Sequence, residues 1–152
     1  MDEALLGTML ASTLRLATPL IFCALAGLFS ERSGVVDIGL EGKMLFAAFA
    51  AGAAGAVSGS TTLAMLAAIG VAVALSWMHG LACVSHPGDQ VVSGVAINII
   101  AAGLTVVLGI AWFSQGGQTP PVTTVVRIQP LFPQAAAALA GIPWVGSVLG
   151  EG

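Results

Sequence analysis

Residues 30–43 read SERSGVVDIGLEGK. Glu31, Arg32, Asp37, Glu41 and Lys43 fall within these fourteen positions, spaced by Gly34, Gly39 and Gly42. The whole chain of 152 residues has four Lys/Arg and seven Asp/Glu, eleven charges in all, so nearly half of them sit here. Apolar sequence flanks the stretch on both sides. Whether it lies in water or enters an apolar slab decides the fold.

The surroundings favour the slab. Hydrophobic residues make up 57% of the chain and charged residues 7%, against roughly 25% charged in a soluble domain. Mean hydropathy is +1.02. Too few polar side chains exist to cover a water-facing surface, so lipid is the main solvent. The net charge of −3 comes without a basic patch, which argues against a nucleic-acid partner. Cys23 and Cys83 stand in apolar runs and read as small buried hydrophobes. His79 and His86 lack metal-ligand spacing with a carboxylate or Cys, so no metal site is expected. No cofactor motif is evident. Met1-Asp2-Glu3 lacks the positive start of a signal peptide, which leaves the first apolar run as a retained span.

A spanning helix needs about 20 mainly apolar residues. Runs over about 4–29 (with Arg15 and Pro19 inside), 63–84 and 91–113 meet that length. The second candidate is awkward, because Met44–Val57 is only fourteen residues long. Starting it at Asp37 gives a span of about 37–57. Asp37, Glu41 and Lys43 then lie at or below the headgroups. Residues 114–143 hold Gly116, Gly117 and five prolines and read as a long external loop, with a short helix over 134–140. A further, incomplete span starts at Trp144. The expected fold class is all-α, a polytopic membrane helical bundle. It has about four spans plus the start of a fifth, and a broken second helix. Arg32 and Lys43 on one side against Arg127 on the other favour an outside N-terminus.

Small residues dominate the second span. Ala48, Gly52 and Ala56 fall on one line, with Ala51, Gly55 and Gly59 beside it. Such lines let helix backbones approach closely in lipid. The fourth span carries a polar stripe of Gln90, Gly94, Asn98, Ala102, Thr105 and Gly109, with Ser93 beside it. Val92, Ile99, Val106 and Ile110 form the opposite, lipid-facing side. Asn98 has two open readings: it bonds a neighbouring helix, or it faces a solute path.

Two readings of residues 30–43 also stand. As a loop, its charges are solvated and its glycines make turns. As the start of a broken membrane helix, Ser33 caps the N-terminus, and the glycines allow a tight turn and close backbone approach. Asp37 and Glu41 at i, i+4 repel modestly, which stability alone does not explain. Discontinuous helices of this type occur where transporters place polar groups inside the bilayer, and ionisable groups at depth are functional-site candidates. Asp37, Glu41, Asn98, Gln90 and Ser93 are therefore substrate-path candidates. Gly52, Ala56 and Gly94 are helix-packing candidates.

These same stretches carry a resemblance. ERSGVVDIGLEGKML (31–45), DQVVSGVAINIIAAGL (89–104) and TPLIFCALAGLFSERSG (18–34) resemble permease subunits of ATP-binding-cassette importers. The nearest group handles nucleosides and simple sugars and is related to ribose and branched-chain amino acid permeases. The likeness covers essentially the whole chain. Asp37 departs from it, since many relatives have Asn there. The resemblance implies a partial transmembrane permease domain over 1–152, the N-terminal half of a longer subunit, in the cell (inner) membrane. It also implies partners: ATP-binding-cassette ATPase subunits, a second permease subunit, an external substrate-binding protein and the lipid bilayer. The phosphate-binding pattern G-x-x-x-x-G-K-[ST] is absent, so ATP hydrolysis is expected in a partner and this chain is not expected to be an enzyme. Two other readings are an ion-coupled secondary carrier titrating Asp37 and Glu41, and a non-transporting membrane scaffold pairing through its Ala/Gly face.

Overall fold

A computed structural model describes residues 3–86 and 88–121. The described residues form helices joined by short turns, with no strand among them. Helix α1 spans Glu3–Arg32, α2 Leu40–Ser58, α3 Thr61–Gly80 and α4 Gln90–Phe113. A single π-helical turn, Leu81–Ser85, extends α3. All four helices are long and apolar enough to cross a membrane. Even the shortest, α2 with 19 residues, is about 28 Å long, close to the thickness of a bilayer's hydrocarbon core.

The part of α1 up to Ala24 and the bundle from Leu25 onward form separate compact units. In the first, α1 runs uninterrupted through Pro19, and Arg15 is exposed among exposed leucines and phenylalanines. The hydroxyls of Thr8, Ser12, Thr13 and Thr18 donate to carbonyls about one turn back. Polar side chains on an apolar helix are thereby satisfied without water.

In the second unit, α2 packs against both α3 and α4. Gly59 ends α2 in the left-handed region (φ 64) and donates its N–H to the Gly55 carbonyl. Such a C-cap reverses the chain within two residues, so α3 returns antiparallel to α2. Asp89 starts α4. Its Oδ1 accepts from Val91 N (2.8 Å) and Val92 N (3.1 Å), which satisfies two of the donors a helix start leaves open.

The second helix begins three residues later than the sequence suggested. Residues 35–39 are not helical, and Leu40 is the first helical position. The cause is local. Asp37 Oδ1 accepts from Gly39 N (3.1 Å), a side-chain-to-backbone turn that competes with helix. Ser33 does not cap α2; its hydroxyl donates to Ser30 O at the end of α1.

The buried apolar core is small: Ala53, Ala64, Ile97 and Ala101. Large apolar side chains point outward along every helix. On α4 the buried line is Gly94, Ile97, Ala101, Thr105 and Gly109. Val92, Ile99, Val106 and Ile110 are exposed, on the opposite side, as the pattern indicated. Ala102 is exposed as well; the seam follows Ala101, one residue earlier, because α4 meets α2 through Gly94 and Asn98. A Cβ added to Gly94 would lie 2.9 Å from Gly39 N, and one added to Gly42 would lie 2.7 Å from Asn98 Cα. The two contacts advance together along both chains, so α2 and α4 run parallel. The sequence-expected short helix over 134–140 and the span from Trp144 lie outside the described residues, as does most of the 114–143 loop.

Gly42→Ala forces backbone apart from backbone. It is expected to lower stability by about 1–3 kcal/mol, read as a lower melting temperature in detergent. Gly70→Ala is the matched control, since its added Cβ meets nothing within 4 Å. It should be neutral, or stabilise through better helix propensity by up to about 1 kcal/mol.

Candidate functional site

The segment from Val36 to Lys43 lies against the start of α4 and the end of α3, and two amides of α4 hold its backbone. Val36 N donates to Gln90 Oε1 (2.6 Å). Asn98 uses both ends of its amide: Nδ2 donates to Ile38 O (3.1 Å), and Oδ1 accepts from Gly42 N (2.7 Å). Gly42 stands in the first turn of α2, where N–H groups have no partner inside the helix. The residue before α2 is Gly39, which has no side chain to cap with. Asn98 therefore caps α2 from a neighbouring helix.

Beneath this backbone lies a buried polar cluster. Lys43 Nζ and Asp37 Oδ2 form an ion pair, with side chains only 6% and 10% exposed. Asp37 Oδ1 also stands 3.7 Å from His79 Nε2. His79 is 3% exposed. Its Nδ1 is 3.0 Å from Ser93 Oγ, and Cys83 Sγ is 3.7 Å from its Nε2. Burying a charge is tolerated when the charge is paired and hydrogen-bonded. Together with His79 and Ser93 the pair ties four elements to one another: the turn before α2, α2 itself, the end of α3 and the start of α4. The arrangement holds protein to protein. No group of three His, Cys, Asp or Glu among the described residues is placed to hold a metal ion.

Four of the five path candidates thus meet in one place: Asp37, Gln90, Ser93 and Asn98. Glu41 does not join them. It is exposed, and its side chain makes no hydrogen bond or ion pair with another described residue. Among the packing candidates, Gly94 is buried against Gly39, and Gly52 lies against Thr119. Ala56 is exposed; the buried positions of this stretch of α2 are Ala53 and Gly55. Lys43 and His79 are the members that sequence reasoning did not single out. A helix starting at Asp37 puts Lys43 about 120° away from it around the axis and more than a turn along it, and only the turn at 37–39 brings them together. For Lys43 the available signal was that it is the one lysine of a chain that avoids charge, close in sequence to carboxylates; His79 offered none.

Residues 9–146 match the family described as branched-chain amino acid transport system / permease component. The chain is 36% identical over 150 residues to the guanosine ABC transporter permease protein NupQ of Bacillus subtilis, covering 95% of this chain and 45% of that protein. It is 37% identical over 114 residues to the nucleoside ABC transporter permease protein NupC of Lactococcus lactis, covering 70% and 35%. It is 33% identical over 138 residues to a Haloferax volcanii protein provisionally named glucose ABC transporter permease protein TsgC13, covering 91% and 40%. The chain spans less than half the length of each of these curated relatives. No solved structure matches it.

Removing one member of the buried pair strands the other. Asp37→Asn or Lys43→Met alone should destabilise by about 3–5 kcal/mol, read as loss of membrane-inserted, monodisperse protein. The double variant Asp37→Asn/Lys43→Met should recover most of that loss. Equal damage from the single and double variants would show that the pair is not the unit that matters.

Proposed function

Since the chain belongs to the branched-chain amino acid transport system / permease component family, we propose that it is a multi-pass permease part of an ATP-driven importer for nucleosides or simple sugars. The observation that carries this reading is the continuous similarity over 95% of the chain to a permease named for guanosine. The relatives named for nucleoside and glucose transport support the same solute class. The family is one of permease subunits, which are not themselves enzymes. In this reading ATP-binding-cassette ATPase subunits drive the cycle, a second permease subunit completes the path, and an external substrate-binding protein delivers the solute.

Physically, the chain contributes a wall of the path. Asp37, Gln90, Ser93 and Asn98 position that wall: their polar atoms fix the turn before α2 against α3 and α4, at the cytoplasmic end of the bundle. Glu41, exposed beside them, is the member with a free carboxylate to meet solute, water or a partner subunit. The ion-coupled carrier reading needs Asp37 and Glu41 as a titrating pair, and the engagement of Asp37 by Lys43 argues against it.

Deleting the reading frame from its native host should abolish ATP-dependent uptake of a labelled nucleoside or sugar. Uptake in the parent strain should survive an uncoupler while ATP is maintained, and stop when ATP is depleted. Uptake that follows the proton gradient and ignores ATP would replace the importer with the carrier. No change in any nucleoside or sugar uptake on deletion would leave the scaffold reading standing.

A further inference from the structure

The backbone after α4 turns back into the bundle. Ser114 ends α4 in a left-handed turn (φ 56), and Gln115 N donates to Gly109 O (3.2 Å). The chain then reaches α2 so closely that a Cβ on Gly52 would stand 2.5 Å from Thr119 Oγ1. Gly109 is a second notch, where a Cβ would lie 2.7 Å from Gln115 O. Gly52 precedes Ser58, the last residue of α2, by six positions, so Thr119 sits about 9 Å inside the end of that helix.

Residues 114–121 are not helical. Irregular backbone at membrane depth is tolerated where it is buried in protein or lines a cavity. Here it lines a cavity of about 380 Å³, within the size range of small-molecule sites. Leu45, Ala48 and Phe49 of α2 and Thr105 of α4 form its walls, and Gly117, Gln118 and Thr119 line its edge, leaving it open on one side. The Phe49 ring is held against Trp112, with centroids 6.2 Å apart and planes at 29°. Thr105 donates its hydroxyl to Ala101 O (2.8 Å) and keeps lone pairs to accept with. Gln118 supplies an amide donor and acceptor, and Thr119 a hydroxyl. No lining residue carries a charge.

We propose that this cavity is a solute subsite that takes a neutral, hydrogen-bonding molecule with a hydroxylated ring, a nucleoside or a free sugar, and rejects free amino acids. An amino acid at neutral pH carries an ammonium and a carboxylate, and both would lose water here with no opposite charge to meet them. A ribosyl or hexose ring brings only hydroxyls, which the threonines and Gln118 can match, and a flat base can lie against the aromatic wall. The inference rests on the permease reading above and adds where the solute sits and which class within the broader family this chain admits.

The test uses the assembled transporter. Gln118→Cys, at an exposed position of the cavity's edge, is labelled with a thiol reagent, with the unsubstituted chain as background for Cys23 and Cys83. Saturating nucleoside or hexose should slow labelling about tenfold, and leucine should not. Protection by the nucleoside alone, the hexose alone or both supports the subsite and names its source. Protection by leucine, or by none of the three, overturns it. Gln118→Ala supplies an independent reading: KM for uptake should rise about three- to tenfold, the loss of one or two hydrogen bonds, with kcat held. An unchanged KM overturns the subsite. Gly52→Ala, which pushes Thr119 off its seat, should reduce uptake, whereas Gly70→Ala should not. ATP-dependent uptake by the unsubstituted transporter is measured in parallel. If it persists while protection and the KM effect are absent, the subsite fails and the importer reading stands.

Discussion

A carboxylate and an ammonium group, six residues apart in sequence and both withdrawn from solvent, set the geometry at one end of this bundle. Asp37 and Lys43 cannot reach each other across a continuous helix, because that spacing puts them on different sides of it. They meet because the chain turns at 37–39 before α2 begins. Each charge loses hydration on burial, and their attraction offsets that loss only in good geometry with further hydrogen bonds. Asp37 has a backbone N–H from Gly39 as well as Lys43, and His79 stands beside it. The pair therefore selects one conformation of the turn more than it adds net stability, and that conformation decides where α2 starts.

The turn matters because α2 and α4 touch through their backbones. Without a hydrophobic driving force between helices in lipid, association depends on close van der Waals packing and on hydrogen bonds. Gly39, Gly42 and Gly94 supply the first, and Gln90 and Asn98 the second. The two depend on each other. Asn98 reaches Gly42 N only because Gly42 lacks a side chain, and the N–H is free to donate only because it lies in the first helical turn. A core of alanines with one isoleucine follows from helices drawn this close, since larger side chains have no room between them.

Much of this was legible in the sequence. Spans 63–84 and 91–113 came from run length alone, and α3 with its π turn and α4 fall within a few residues of them. The glycine-spaced charged segment was recognisable as the feature around which the fold turns, and the lipid-facing side of α4 was readable from Val92, Ile99, Val106 and Ile110. The start of α2 was not. Pattern rules treat Asp37 as a helical position, whereas its carboxylate bonds Gly39 N and stops the helix from starting there. Nor was the role of Lys43 visible, because its partner is defined by a turn and not by a spacing. His79 gave no signal in one dimension; its neighbours Asp37 and Ser93 lie 42 residues before it and 14 after it in the chain. The direction of the chain after Phe113 was equally hidden, because a Gly/Pro-rich stretch specifies a turn but not where the turn leads.

The two ends of the α2–α4 seam differ in what their polar atoms have left to offer. At the first end, Gln90 Oε1, both ends of the Asn98 amide, the Asp37 carboxylate and the Lys43 ammonium are all engaged by protein. A solute could use them only by breaking bonds that hold the helices together. At the other end Thr105 keeps acceptor capacity, and Gln118 is exposed on non-helical backbone. The seam is therefore locked at one end and polar but open at the other. The locked end ties the turn before α2, the end of α3 and the start of α4 to one another, and the open end leaves Gln118 exposed where the chain has left the helix.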